Sequence, residues 1–139
     1  MEKVAFPDDT MNQINPEVSG LKILIAEDDG FSELIISRAV KAYSKETINV
    51  QTGVKAVESC HNNPDIDLVL MDIKMPEMDG HEATRQIRKF NSDVIIIAQT
   101  AFALTEDRDM AMAAGCTDFI SKPINKDKLK ILIQKYFNI

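Results

Sequence analysis

Short runs of consecutive apolar residues limit the folds open to this chain more than any other feature of its sequence. Three are prominent, KILIA (22–26), LVLM (68–71) and VIIIA (94–98), and two are shorter, INV (48–50) and FIS (119–121). A strand that is apolar at every position, rather than at alternate ones, is buried on both faces. Such strands are typical of parallel sheets covered by helices, and the runs therefore predict an α/β fold.

Amphipathic segments lie between the runs and predict helices. The first spans residues 31–43 and has four apolar residues near helical spacing: Leu34, Ile35, Ala39 and Ala42. The others span residues 54–61, a segment starting near 81, 106–114 and 126–137. Asp79 is a suitable N-cap for the third helix, and Gly115 a suitable residue after the fourth. Strand and helix alternate five times, which predicts a three-layer α/β sandwich.

Residues 1–20 differ from the rest of the chain. They are polar, lack periodicity and contain Pro7, Pro16 and Gly20. This composition favours a leader or linker, followed by one domain at 21–139. The leader is expected to be dispensable for folding.

Composition excludes several classes of protein. The formal net charge of −6 argues against a surface that binds DNA or RNA directly. No segment approaches the roughly 18 apolar residues of a membrane span, and the N-terminus lacks the apolar region of a signal peptide. Cys60 and Cys116 fit neither a metal spacing nor a disulfide framework. We therefore expect a cytoplasmic protein with two reduced thiols.

Polar residues follow four of the predicted strands. In open parallel sheets, functional sites lie beyond the carboxyl ends of the strands. The residues at those ends are Glu27, Asp28 and Asp29 after the first strand, Asp72 after the third, Gln99 and Thr100 after the fourth, and Ser121, Lys122 and Pro123 after the fifth. Acids, a hydroxyl and a lysine are thus expected on one rim of the sheet.

The chemistry of that rim favours phosphoryl transfer. Crowded carboxylates repel one another unless a cation is present, and oxygen ligands without His or Cys suit Mg²⁺, with Mn²⁺ as a substitute. Asp72 would act as the nucleophile and form an acyl phosphate. The phosphoryl oxygens would contact the metal, Lys122 and Thr100.

Each feature taken alone has an ordinary structural explanation. Asp29 could be a helix N-cap, the Lys-Pro pair a turn, and Thr100 a simple strand end. Their occurrence together, each at the end of a different strand, favours a functional site. His61 and His81 are isolated in the sequence, and we interpret both as surface residues.

Four motifs in combination resemble the receiver domain of two-component response regulators. They are ILIAEDD, LVLMDIKMPEMDG, IIIAQTA and DFISKPI, and the resemblance covers residues 21–139. It implies a flavodoxin-like (βα)5 sandwich with five parallel strands in the order 2-1-3-4-5. It also implies that Asp72 is the phosphoacceptor and that Glu27 and Asp28 hold Mg²⁺.

The same resemblance assigns further roles. The main-chain carbonyl of Lys74 would be the third protein ligand of the metal. Thr100 and Lys122 would be the hydroxyl and the lysine that the family uses, and Phe119 its switch aromatic. The Lys122–Pro123 bond is expected to be cis.

Three positions depart from the usual family pattern. Glu27 stands where aspartate is more familiar and could still reach a metal-bound water. Asp29 adds an acid where asparagine is often found and could alter the affinity for metal. Lys74 brings a side chain near the phosphate that many receivers lack.

The resemblance implies a signalling domain rather than an enzyme, one that catalyses only its own phosphorylation and dephosphorylation. Its partner would be a sensor histidine kinase or a histidine phosphotransfer domain, and phosphorylation would alter the face formed by the fourth helix, fifth strand and fifth helix and could promote a homodimer. The chain would be a free-standing regulator or the C-terminal receiver of a hybrid kinase, and we favour the hybrid kinase.

Two alternatives fit the sequence less well than this interpretation. A phosphatase of the haloacid dehalogenase type needs a second aspartate two residues after the nucleophile, where this chain has Lys74. A nucleotide-binding module needs a glycine-rich loop after the first strand, whereas AEDDGF has one glycine and three acids.

Overall fold

The computed structural model of this chain describes residues 20–101 and 105–138. Five strands alternate with five α-helices along it. The strands are β1 (Leu21–Ala26), β2 (Ser44–Val50), β3 (Leu68–Asp72), β4 (Ile95–Thr100) and β5 (Asp118–Ser121). They pair in parallel in the order β2-β1-β3-β4-β5, which confirms the predicted topology.

The helices lie close to the predicted segments, and the third begins where it was expected. The helices are α1 (Gly30–Val40), α2 (Gly53–Asn62), α3 (Gly80–Arg88), α4 (Thr105–Ala114) and α5 (Lys126–Phe137), and a short 3-10 helix (Lys41–Tyr43) follows α1. Asp79 caps α3 as predicted, because its side chain accepts a hydrogen bond of 2.9 Å from the Glu82 amide. Gly115 follows α4 with a φ of +110°, a conformation that glycine adopts without strain.

The sheet separates two apolar clusters, one on each face. Along β3 the side chains alternate between them, with Val69 and Met71 in one cluster and Leu68 and Leu70 in the other. The first cluster packs beneath α2, α3 and α4, and the second beneath α1 and α5. Burial on both faces explains why these strands are apolar at every position.

One expectation about burial was wrong, namely that His81 lies on the surface. His81 is only 7% exposed. Close contact between Gly80 and the backbone of Asp72 brings the first turn of α3 onto the sheet, and His81 is buried there. His61 is exposed, as predicted, and contacts the ring of Phe90. On α1 the sheet-facing residues are Ile36 and Val40, whereas Leu34 is 44% exposed.

Both cysteines are free and buried, and both lie in the cluster beneath α2, α3 and α4. Burial raises the pKa of the Cys60 thiol to about 11, and it raises the pKa of Cys116 as well. The thiols are therefore protonated at neutral pH.

No helix in the described part of the chain is both long and apolar enough to cross a membrane. Residues 1–19 of the predicted leader lie outside the described ranges. The limits of the leader and the domain therefore stay predictions.

Candidate functional site

The carboxyl ends of four strands and the loops after them form one cleft of about 290 Å³. The predicted acids after β1, the acid at the end of β3, the hydroxyl of β4 and the lysine after β5 all line it: Glu27, Asp28, Asp29, Asp72, Thr100 and Lys122. Lys74 lines the same cleft. Residues distant in sequence meet here because the ends of parallel strands lie along one edge of a sheet.

Three carboxylates meet at the centre of the cleft. One oxygen from each of Glu27, Asp28 and Asp72 lies within 4.8 Å of the others. Glu27 and Asp72 are buried, whereas Asp28 is exposed and keeps the group open to solvent. Oxygen donors at this spacing suit a hard divalent cation that retains several waters. The residues therefore fit the predicted metal, although their role as ligands stays a prediction.

Lys122 provides the positive charge that faces the acids. Its Nζ lies 2.9 Å from Glu27 Oε1 and 3.1 Å from Asp72 Oδ1. Burial favours the neutral amine, but these two ion pairs raise the pKa of Lys122 and keep it charged. Burial also raises the pKa of Glu27, an effect that the hydrogen bond from Lys122 opposes. The cleft thus contains buried negative charge that a further cation would stabilise.

Asp29 acts as a helix cap. Its Oδ2 accepts hydrogen bonds of 2.9 Å from the Ser32 amide and 2.8 Å from the Ser32 hydroxyl. These bonds hold the pKa of Asp29 below its usual range. The Asp29 amide also donates to Glu27 Oε2 at 3.1 Å and thereby orients that carboxylate. The N-cap interpretation is confirmed, and Asp29 is not one of the three clustered acids.

Thr100 and Phe119 lie on adjacent strands next to the cleft. Thr100 is 8% exposed, and its carbonyl accepts a hydrogen bond of 2.8 Å from the Lys122 amide. Phe119 is half-buried against the cluster beneath α2, α3 and α4. The peptide bond between Lys122 and Pro123 is cis, as predicted.

Two residues near this site were given no role from the sequence, although Gln99 was expected at the end of the fourth strand. The Arg108 guanidinium carbon lies 4.9 Å from the centre of the Phe119 ring, a cation–π contact between α4 and β5. Gln99 is 1% exposed and lines the cleft. Nothing in the sequence identifies Arg108, whereas Gln99 is recognisable as an amide that ends an otherwise apolar buried run.

Comparison with known proteins is consistent with this arrangement. Residues 23–134 match the family model of the response regulator receiver domain. The chain is 36% identical over 119 residues to the two-component response regulator ORR41 of Oryza sativa subsp. japonica, and the match covers 84% of this chain and 94% of that protein. It is 35% identical over 122 residues to hybrid signal transduction histidine kinase L of Dictyostelium discoideum, covering 83% of this chain but only 7% of that protein.

Solved structures of receiver domains also match this chain. The receiver domain of sensor histidine kinase PA1611 from Pseudomonas aeruginosa, which has a magnesium ion coordinated in its active site cleft, is 32% identical, with a TM-score of 0.77 and coverage of 86% of this chain and 99% of that one. The complex of the Saccharomyces cerevisiae phosphotransfer protein Ypd1 with the receiver domain of Ssk1 matches at 27% identity and a TM-score of 0.79, covering 85% of this chain and 89% of that one.

Proposed function

Because this chain belongs to the family of response regulator receiver domains, we propose that it is switched by phosphorylation of Asp72. One observation carries the assignment. Asp72 is the acid at the end of the central strand β3, and its carboxylate contacts the Lys122 ammonium at 3.1 Å within the cluster of three acids. A carboxylate nucleophile for phosphoryl transfer needs positive charge beside the transferring group, and Lys122 supplies it at this position.

In the proposed reaction, an Asp72 carboxylate oxygen attacks the phosphorus atom of a phosphohistidine. The P–N bond breaks, its electron pair returns to the imidazole ring, and Asp72 becomes an acyl phosphate. Lys122 would balance the negative charge of the transferring group, and the Thr100 hydroxyl would donate to one of its oxygens. No other chemistry is assigned to the domain beyond hydrolysis of this acyl phosphate.

Glu27, Asp28 and Asp72, with the main-chain carbonyl of Lys74, would hold Mg²⁺, or Mn²⁺ in its place. The ion would supply charge neutralisation for the phosphoryl oxygens. The oxygen-only donor set supports this choice of metal. So does the raised pKa of Glu27, which marks a carboxylate whose burial is poorly compensated by protein groups alone.

The phosphoryl donor would dock on α1. Phe31 is 72% exposed and Leu34 is 44% exposed on this helix. A groove lined by Phe31, Ile35, Pro123 and Ile124 also includes Lys122 and therefore adjoins the proposed phosphorylation cleft. We infer that a helical histidine phosphotransfer domain, or the corresponding domain of a sensor kinase, covers this apolar surface while its histidine reaches Asp72.

Phosphorylation would change a different surface of the domain, the one that binds the downstream partner. A groove of about 570 Å³ runs between β5 and α5, with Ile131 on its rim 61% exposed. Phe119 and Lys122 both line it, so a change at the cleft has a short path to this face. Thr100 and Phe119 would move on phosphorylation, and the altered face would bind a downstream partner or a second copy of the chain.

Labelling of variants tests the assignment of Asp72. With acetyl phosphate and Mg²⁺, intact-mass measurement should show one phosphoryl group on the wild type and none on Asp72→Asn. Asp79→Asn is a matched control because asparagine also caps helices and Asp79 lies outside the cleft. Removal of Mg²⁺ by a chelator should abolish labelling. Undiminished labelling of Asp72→Asn would show that another residue is the phosphoacceptor.

A further inference from the structure

Gln99 is a buried carboxamide beside Asp72 that the proposed reaction does not use. Its Cα pairs with that of Asp72 on β3 and with that of Ile120 on β5. Paired residues of neighbouring parallel strands point to the same side of the sheet. Gln99 and Asp72 therefore lie side by side on one face and line the same cleft.

Both polar atoms of this side chain are unsatisfied. Within residues 20–101 and 105–138, neither Oε1 nor Nε2 of Gln99 has a hydrogen-bond partner. Burying an amide in this way costs free energy, whereas an apolar side chain at the same position would gain it. A residue that breaks the apolar pattern of its own strand at a functional cleft is expected to serve another state of that cleft.

The state in which Gln99 is needed follows from the contacts of Lys122. The ammonium lies 2.9 Å from Glu27 and 3.1 Å from Asp72 and is paired with both carboxylates. A divalent cation bound by the same acids would repel the ammonium and occupy its acceptors. The Lys122 side chain is only 22% exposed, so solvent replaces those acceptors poorly. It then needs a nearby acceptor within the protein.

A carboxamide oxygen suits this purpose better than another acid. It accepts a hydrogen bond from an ammonium group, which has three N–H donors. Because it carries no net charge, it does not hold Lys122 as strongly as a fourth carboxylate would, and the lysine stays free to meet an anionic ligand.

We propose that Gln99 is a positioning residue for Lys122: its Oε1 accepts a hydrogen bond from the ammonium when a divalent cation occupies the acid cluster. Lys122 is then held beside the cation, ready for the phosphoryl group, and no longer paired with the carboxylates. This inference rests on the proposed function, because it requires the three acids to bind a cation.

A double-mutant cycle with Mg²⁺ as the only ligand tests the proposal. The full chain is titrated with Mg²⁺ as the wild type, Gln99→Met, Lys122→Met and the double variant, and amide NMR shifts report binding. Methionine matches glutamine in length, but its thioether sulfur is only a weak acceptor and does not replace the amide oxygen. In the wild-type background, Gln99→Met should raise the Kd for Mg²⁺ roughly tenfold, the effect of one hydrogen bond to a charged group. In the Lys122→Met background it should have no effect.

Thermal unfolding without metal supplies an independent readout. Gln99→Met should not lower the Tm, because it removes a polar group without a partner. Ile120→Met is the matched control, a substitution of the buried neighbour on β5 that removes no polar group. The side-chain NMR signals of Lys122 should shift on Mg²⁺ addition in the wild type and markedly less in Gln99→Met, a comparison that needs no variant of Lys122.

Several outcomes would overturn the proposal. An equal loss of Mg²⁺ affinity in both backgrounds, or no loss in either, would show that Gln99 does not act through Lys122. A metal-free Tm that falls more for Gln99→Met than for Ile120→Met would show that the carboxamide is already bonded. A wild-type chain that binds no Mg²⁺ would instead overturn the proposed function, and this inference with it.

Discussion

At the scale of single residues, the cluster of three acids in the cleft carries more negative charge than Lys122 balances. When Glu27, Asp28 and Asp72 are all ionised, the single ammonium of Lys122 leaves two negative charges, which one divalent cation would neutralise. The cation and Lys122 therefore compete for the same carboxylates, although both are needed around a phosphoryl group. The charge of Lys122 is secure because its ion pairs raise its pKa, and only its position has to change.

Lys74 adds a second lysine to this cleft, two residues after Asp72. Its side chain is exposed and can extend over the proposed phosphoryl group, where it would obstruct an attacking water. We expect Lys74→Ala to shorten the half-life of the acyl phosphate by roughly threefold, a small change in activation free energy. Intact-mass measurement at intervals after removal of acetyl phosphate gives that half-life.

Lys55→Ala provides the control for this experiment, because Lys55 is an exposed lysine of α2 whose nearest acidic partner is Glu58 at 3.8 Å. Its acyl phosphate should decay at the wild-type rate. If Lys74→Ala also decays at that rate, Lys74 has no part in phosphate lifetime.

The sequence identified the residues of the cleft more completely than it identified their surroundings. A carboxylate or lysine directly after an apolar run is visible in the sequence, and the parallel sheet brings such residues together. The burial of His81 depends on the close approach of Gly80 to β3, which no local pattern encodes. The contact between Arg108 and Phe119 joins two elements through an exposed side chain and was equally inaccessible.

At the scale of elements, the strands were predictable and the orientation of α1 was not. A strand buried on both faces has to be apolar throughout, so its run of residues stands out. The helix has apolar residues on more than one side, including exposed Phe31 and Leu34. Because exposed apolar residues of the proposed docking surface add to the pattern, the sequence does not show that Ile36 and Val40 are the residues that face the sheet.

The opposite end of the sheet is joined to a loop by a buried lysine. Lys22 in β1 is 7% exposed, and its Nζ donates to Asn63 Oδ1 and Asp65 Oδ1, each at 3.1 Å. The Lys22 amide donates to Asp67 Oδ2 at 2.8 Å. These bonds hold the segment between α2 and β3 against the start of β1, and so help to fix where β3 begins.

The pH dependence of stability tests this connection. The hydrogen bond from Lys22 holds the pKa of Asp65 below its usual range. A carboxyl with a lowered pKa in the folded state stabilises the protein above the unfolded-state value, and that contribution is lost as pH falls through the folded-state value. Asp65→Asn should therefore lower the Tm near neutral pH, and the difference from the wild type should vanish in acid.

Glu58→Gln is the matched control, because Glu58 is also exposed but forms only a 3.8 Å pair with Lys55 on the same helix. Its Tm should stay close to that of the wild type across the same pH range. If Asp65→Asn has the same Tm as Glu58→Gln near neutral pH, the pair between Lys22 and Asp65 does not stabilise the folded protein.

In the molecule as a whole, two grooves with different proposed roles border α1 and α5, the helices that cover the same face of the sheet. The groove beside α1 adjoins the cleft, and the groove beside α5 and Phe119 carries the proposed response. Both grooves include Lys122 and Pro123. A phosphoryl group on Asp72 would therefore be sensed at the border between the two surfaces.

Loss of the Thr100 hydroxyl should prevent phosphorylation of Asp72 from changing the groove beside α5 and Phe119. With beryllofluoride and Mg²⁺, a mimic of the phosphorylated form, Thr100→Ala should still bind but show smaller amide NMR shifts around Phe119 than the wild type. Ser121→Ala removes a hydroxyl at the end of the neighbouring strand and should retain the full shifts. Wild-type shifts around Phe119 in Thr100→Ala would exclude this route.

Cys60 and Cys116 give the molecule a built-in chemical label on one side. Both thiols lie in the cluster beneath α2, α3 and α4, and the described residues of the cluster beneath α1 and α5 include no cysteine. A thiol reagent therefore reaches sulfur only when the first of these layers opens, because a buried, protonated thiol is inert. The rate at which the unaltered chain is modified therefore measures how often the layer formed by α2, α3 and α4 opens. Opening of this half of the protein can be followed without any substitution.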